Sequence, residues 1–326
     1  MSQTANTFDT FAAKGIRESL SNVIYNISPE ETPFMSNIGR ENVKNTYFEW
    51  QTDSLAAAST TNAQVEGDDV SSFDSTSATT RVGNYTQISN KTVLISGTLE
   101  AVDKAGRRSE LAYQLAKRSA EIKRDMESTM LTNQAASAGS AGVSTALRKT
   151  GSLLAFLKTN TDKGTGGADP VYTSSPNATR TDATAANLRT FTEAILKTVI
   201  QKVWASGGSP KLLMVGPVNK ARVSGFAGIA EIRREVTGNR QATIIGAADV
   251  YVSDFGSVSV VPNRFQRERD AFVLDPEYAS VAFLRPFQTV ELAKTGDAEK
   301  RLITVEYGLK VNTEAAHGLA ADLTTT

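Results

Sequence analysis

The apolar positions of this chain follow two periods, and each period predicts a different kind of element. Over residues 46–52, Phe48 and Trp50 alternate with Glu49 and Gln51, the two-residue repeat of a half-buried strand. A second extended run, rich in Thr, Val and Ile, covers residues 85–98. Between them, residues 53–80 are almost all small or polar. So long a polar connection is uncommon inside a compact domain, and an isolated two-stranded ribbon does not hold itself together. The pattern predicts a projecting hairpin whose partner is another molecule.

The helical period is clearest over residues 109–134. Ser109 stands where a cap is wanted, with Glu110 in the first turn. Leu111, Leu115, Ile122, Met126 and Met130 recur at helical spacing and form one stripe. Lys117 with Glu121, and Lys123 with Glu127, are spaced to pair on the outer faces. Such a helix would be about 39 Å long. Its stripe is too short for a coiled-coil seam and reads as core.

Elsewhere the signals are shorter. Residues 1–45 hold only brief amphipathic stretches punctuated by Pro29 and Pro33, and Phe34, Met35 and Ile38 need a surface this arm cannot supply. Residues 135–186 read as a flexible stretch around one apolar piece, 153–157. A second amphipathic helix is expected over 188–204, stopped by Gly207-Gly208-Ser209-Pro210, and then a short buried strand at 211–216. Strands follow at 243–245, 249–253, 258–261, 271–274, 281–284, 289–292 and 302–311, with turn residues between them. The fold class is α+β, antiparallel late in the chain.

Composition removes functions more than it suggests them. There are 326 residues, enough for about two domains, but no Cys and one His. That excludes disulfides, thiolate metal sites and Cys nucleophiles, and leaves one imidazole for any Ser-His-Asp triad. His317, in Ala315-Ala316-His317-Gly318, reads as a surface residue. The N-terminus has no basic segment followed by an apolar one, so no signal peptide is expected, and no run approaches the roughly 18 apolar residues of a membrane span. The net charge is zero, unlike that of a protein that coats nucleic acid. The charge is unevenly spread: residues 1–98 sum to −5 and the remainder to +5. An acidic arm lying on a basic body, its own or a neighbour's, is one reading, and chance unevenness is the other.

Candidate chemistry is thin. Gly164-Thr165-Gly166-Gly167 lacks the strand and the Gly-Lys-Ser/Thr ending of a phosphate loop. Glu66-Gly67-Asp68-Asp69 gathers three carboxylates without EF-hand spacing, so a solvated loop tip is the better account. Arg233-Arg234 and Arg264, Arg267 and Arg269 are interleaved with Glu231, Glu235, Glu268 and Asp270, which favours salt-bridged surfaces. No positioned nucleophile, base and orienter is visible. What remains is a subunit completed by its neighbours through a heterologous interface that closes into rings and shells.

Several segments resemble, in order, the major capsid proteins of tailed bacteriophages with the Hong Kong 97-type fold. They are Ser28-Pro29-Glu30-Glu31-Thr32-Pro33-Phe34, Glu66-Gly67-Asp68-Asp69 with Asn84-Tyr85-Thr86-Gln87-Ile88, and Gly207-Gly208 leading to Met214-Val215-Gly216-Pro217. Val250-Tyr251-Val252-Ser253-Asp254-Phe255-Gly256 and Val261-Pro262-Asn263-Arg264-Phe265 follow. Leu284-Arg285-Pro286-Phe287 and Glu291-Leu292-Ala293-Lys294-Thr295-Gly296-Asp297 complete the series.

The resemblance implies an N-terminal arm over 1–45 and an E-loop over 46–98. It implies a P-domain with a spine helix over 99–185, an A-domain over 186–280, and P-domain return strands over 281–326. It implies capsomers of a phage head enclosing double-stranded DNA, with no enzyme activity and no cofactor. The expected partners are copies of the chain itself, a portal, decoration proteins and a separate scaffolding protein, the arm being too short to serve as one. Nothing identifies a Lys–Asn cross-link. Assembly contacts are expected at Phe34, Glu66, Asp68, Asp69, Arg81, Tyr85, Arg264 and Arg267. The rival is an encapsulin-like shell around protein cargo, and a distant third is a hydrolase built on His317.

Overall fold

The computed structural model describes residues 31–64, 66–67, 73–76, 78–104, 106–141, 146–226 and 250–325. The arm before residue 31, Arg233-Arg234 and the strand expected at 243–245 lie outside the described residues.

In chain order, α1 (Pro33–Asn37) and β1 (Gly39–Asn42) precede β2 (Tyr47–Thr52), β3 (Thr80–Tyr85) and β4 (Gln87–Ser96). Then come α2 (Gly97–Ala101), α3 (Glu110–Leu131), α4 (Leu153–Phe156) and β5 (Thr161–Asp162). The middle of the chain supplies α5 (Glu193–Ala205), β6 (Leu212–Val215) and α6 (Pro217–Val223). The rest is strand: β7 (Val250–Ser253), β8 (Gly256–Pro262), β9 (Ala271–Leu274), β10 (Ala279–Glu291), β11 (Ala298–Val311) and β12 (Gly318–Ala320).

Three sheets result. One has the order β1-β10-β11-β4, another β5-β12-β9-β6-β8-β7, and β2 pairs only with β3. The six-stranded sheet is covered on both sides, which is why β6 and β9 are unbroken apolar runs, Leu212–Val215 and Ala271–Leu274, with every residue buried. Their alternate residues serve two cores. Leu212, Met214, Phe272 and Leu274 face one shared with α3 and β11, while Leu213, Val215, Ala271 and Val273 face another under α5.

The helix α3 forms as its sequence predicts. The Ser109 hydroxyl accepts the Ala112 N–H, and Ile122, Met126 and Met130 are buried. Its outer pairing is different: Glu121 binds Arg118 at 2.6 Å and Lys91 of β4 at 3.8 Å. Glu127, expected on the surface beside Lys123, is fully buried.

Other expectations are corrected. The described residues of 135–186 lie on the body, with Leu153, Leu154, Phe156 and Leu157 inside the main core. Its order comes from long-range polar bonds such as Asn133 Nδ2 to the Arg180 carbonyl at 2.7 Å and Asn160 Nδ2 to the Ala315 carbonyl at 2.7 Å. The strands expected at 281–284 and 289–292 are one strand, β10, whose register against β11 shifts on either side of Arg285. Pro286 has no N–H for the ladder, so a bulge carries the pairing past it. His317 is only 1% exposed. Its Nδ1 accepts the Asp275 N–H at 3.3 Å, and burial pushes its pKa down to about 4.

Candidate assembly surface: the projecting hairpin and its anchorage

The hairpin's strands pair antiparallel from Tyr47 opposite Tyr85 to Thr52 opposite Thr80. Its second strand is therefore Thr80–Tyr85, and the run after Thr86 leaves the hairpin to pair with β11 as β4. One face is apolar and lies on the body: Phe48 stacks on Trp50 at 5.9 Å, and Trp50 lies 6.0 Å from Phe156. Phe48 sits so close to Gly308 that a Cβ there would come within 2.7 Å of its ring, so this approach needs glycine. Beyond Thr52 the chain leaves the body. Every described residue from 53 to 79 is exposed, including Leu55 at 98% and Phe73 at 88%.

The root of the hairpin is fixed by buried polar groups. Asn84 Nδ2 donates to the Leu309 carbonyl at 2.6 Å and to Thr150 Oγ1 at 3.0 Å, while its Oδ1 accepts the Gly151 N–H at 2.8 Å. Thr86 donates to Glu306 Oε1 at 2.9 Å, and Glu306 is held in turn by Arg148 and, at 2.8 Å, by Arg285. An amide or carboxylate buried this deeply is tolerated only when satisfied, and these are. The arrangement is a rigid mount with an exposed, partly apolar lever on it.

Comparisons with known proteins agree along the chain. The family model of the SU10 major capsid protein matches residues 2–324. This chain belongs to that family. The major capsid protein of Escherichia phage Phieco32 is 29% identical over 341 residues, spanning 96% of each chain. Among solved structures, the capsid of cyanophage A-1(L) aligns over 98% of this chain and 99% of its own, with a TM-score of 0.65 at 11% identity. Gordonia phage Cozz aligns over 99% and 98%, with a TM-score of 0.61 at 11% identity. The holo-SrpI encapsulin of Synechococcus elongatus aligns over 97% and 94%, with a TM-score of 0.54 at 11% identity. At such identities the structural likeness establishes the fold, the Hong Kong 97 type, and the family establishes a phage capsid protein that forms shells.

In this capsid protein the expected contact residues scatter. Arg81 and Tyr85 lie on the hairpin, where Arg81 pairs with Glu49 and the Tyr85 ring lies tilted against that of Tyr47 at 4.6 Å. Glu66 is exposed within the hairpin's long connection, and Asp68 and Asp69 lie outside the described residues. Arg264 is exposed in the loop after β8. Phe34 is fully buried in its own chain's core, so it has no surface to offer a neighbour. Arg267 is likewise spent internally, on Asp182 at 2.5 Å and Asp270 at 3.1 Å. Of the acids in the first 98 residues, Glu41 pairs with Lys310 of the same chain at 2.9 Å.

The pattern gives no sign of a buried polar network that closes the C-terminal segment onto the body. Asp322, at a left-handed φ of 60°, is fully buried. It accepts from the Ala183 N–H at 2.9 Å, Arg180 Nη2 at 3.1 Å and Arg269 Nη2 at 2.8 Å. Burial alone would raise its pKa, but the Ala183 amide and the two guanidiniums outweigh it and hold the carboxyl below its ordinary range. Nearby Asp270 is fully buried, and there burial wins over Arg267, pushing the pKa up to about 6. The nearest sequence feature, the alternation of Arg267, Arg269 and Asp270, reads as a surface.

Proposed function

We propose that this chain builds a phage head as pentamers and hexamers around double-stranded DNA, with the β2–β3 hairpin lying across a neighbouring subunit. The observation that carries this reading is the hairpin itself, rigidly mounted at Asn84 and Thr86 and exposed with Leu55 and Phe73 beyond Thr52. Large apolar side chains held in water on an extended segment gain free energy when a second surface covers them. On this reading residues 1–45 are the arm, 46–98 the E-loop, 99–185 with 281–326 the P-domain, and 186–280 the A-domain. The protein's role is mechanical and it carries out no catalysis. A separate scaffolding protein, a portal and decoration proteins complete the particle, which assembles in the host cytoplasm.

Deleting residues 53–79 and joining the strands by a two-residue turn leaves the body's cores untouched. The expected result is a folded, soluble protein that forms capsomers or monomers but no stable shells in negative-stain images. Shells like those of the unaltered chain would defeat the hairpin assignment. Nuclease-protected DNA inside purified particles is the expected content, and protein cargo in its place would favour the encapsulin-like alternative.

A further inference from the structure

The long helix α3 leaves two lysines without the partners their spacing promises. Lys117 and Lys123 are exposed and set to pair with Glu121 and Glu127 one turn on. Neither pair forms. Glu121 turns to Arg118 at 2.6 Å and to Lys91 of β4 at 3.8 Å. Glu127 is buried, its Oε1 accepting the Phe34 N–H at 2.7 Å and its Oε2 the Met35 N–H at 2.9 Å. Asp125 is likewise taken by Lys91, at 2.9 Å. At the start of the helix Glu110 is held by Arg107 and accepts from Gln114 Nε2 at 2.8 Å, while Arg108 stays exposed. Among the described residues, Arg108, Lys117 and Lys123 make no ion pair or hydrogen bond.

The chain's zero net charge conceals this. From residue 103 to 125 seven Lys and Arg stand against four Asp and Glu, an excess of three around one helix. Cations whose neighbouring acids are already satisfied attract an anion from outside the chain. From the first turn, beside Arg108, to Lys123 is about 20 Å of helix axis, the rise of about six phosphates on one DNA strand.

What the face lacks decides the partner. Among the described residues, none of the exposed large apolar side chains lies between residues 103 and 146, and the exposed positions of α3 include Ala112 and Ala116. A stable protein interface centres on large side chains buried as anchors, whereas a phosphate backbone needs only Lys and Arg. The hairpin connection of a second copy, residues 53–79, has five Asp and Glu and no Lys or Arg. Its Leu55 and Phe73, however, would find no large apolar surface here.

We propose that the solvent face of α3 is a phosphate-binding surface for double-stranded DNA, with Arg108, Lys117 and Lys123 as its contacts and no readout of sequence. This role for α3 rests on the reading that the shell encloses DNA, and it names the side of the subunit turned toward it.

Binding by the purified, unassembled full-length protein tests it, read from the anisotropy of a labelled random-sequence duplex across a salt series. Each cation that meets a phosphate releases counterions. Lys117→Gln with Lys123→Gln should therefore flatten the slope of log K against log salt by about 2, and weaken binding at least about tenfold at about 50 mM salt. Lys197, on α5, and Lys211, before β6, are also exposed. Lys197→Gln with Lys211→Gln removes the same net charge and should leave the slope as it is in the unaltered chain. No change in the first pair overturns the proposal, and so does equal flattening by both pairs. If DNA affinity is unmoved and the Lys117→Gln, Lys123→Gln protein also forms no shells, the face belongs to the hairpin of a second copy and the proposal falls. Protein cargo in purified particles would defeat the DNA reading without altering this binding result, and a lost binding result would leave that reading standing, so the two failures are distinguishable.

Discussion

Asp322→Ala is expected to destabilise the fold by about 3–5 kcal/mol at neutral pH, the usual consequence of removing one partner from a buried ion pair. The argument rests on what is left behind. Arg180 has no exposed side-chain surface, and without Asp322 the ion pair left to it is Asp169 at 2.9 Å. The Ala183 N–H, which donates to Asp322 at 2.9 Å, loses its acceptor in the same step. Arg269 retains Asp182 at 3.7 Å, so its loss is smaller. The structural consequence is specific. The Leu323 N–H bonds the Arg269 carbonyl at 2.9 Å, and the Thr324 N–H bonds the Arg189 carbonyl at 2.9 Å, so the final segment should fray before the sheets do. Asp322→Asn keeps the shape and the tolerance for a left-handed backbone but removes the charge, and should lose nearly as much. Because the folded carboxyl titrates below its ordinary 3.8, its contribution is complete above that value and disappears as pH falls through the folded value. The gap between Asp322→Ala and the unaltered protein, measured by urea unfolding, should therefore narrow in strong acid. A loss under about 1 kcal/mol at pH 7 would mean the network does not hold the C-terminal segment.

Local signals and long-range polar groups divide what could be read in advance. The cap at Ser109, the alternation through Phe48 and Trp50, and the wholly apolar β6 are each decided within a few residues, and each forms as its pattern predicts. The hairpin's second strand, Thr80–Tyr85, precedes the β-rich run of residues 85–98 that the pattern assigns to it. What divides it is Thr86, whose N–H goes to the Thr46 carbonyl and whose hydroxyl goes to Glu306, 220 residues on. Glu127 fits the spacing of a surface pair with Lys123, and no local rule reports that its true partners are the amides of Phe34 and Met35. The stretch 135–186 misleads for the same reason, since its small polar residues are ordered by bonds to distant backbone. Composition excluded catalysis by thiolates and His clusters, but it took the ordered motifs and the family match to say what the chain builds.

Two buried groups should give the fold opposite responses to acid, and single substitutions should expose them. His317 has its pKa lowered from 6.5 to about 4, so the unfolded chain takes up a proton over a range where the folded chain refuses it. Its contribution is intact above pH 6.5 and is lost as pH falls toward 4, about 2 kcal/mol between pH 7 and pH 4.5. Asp270 has its pKa raised from 3.8 to about 6, so the folded chain takes up the proton first. Acidification through that window stabilises the fold, again by about 2 kcal/mol over the same interval. In the unaltered protein the two largely offset each other. His317→Asn, which retains an acceptor for the Asp275 N–H, should make the protein gain stability from pH 7 to pH 4.5 relative to the unaltered chain. Asp270→Asn should make it lose stability over the same range relative to the unaltered chain, because Asp270 then no longer offsets the His317 penalty. Urea midpoints at the two pH values read both slopes. Matching slopes in both variants and the unaltered chain would show that these two groups do not set the acid response, whereas slopes of opposite sign follow only if each is buried in the state its surroundings impose.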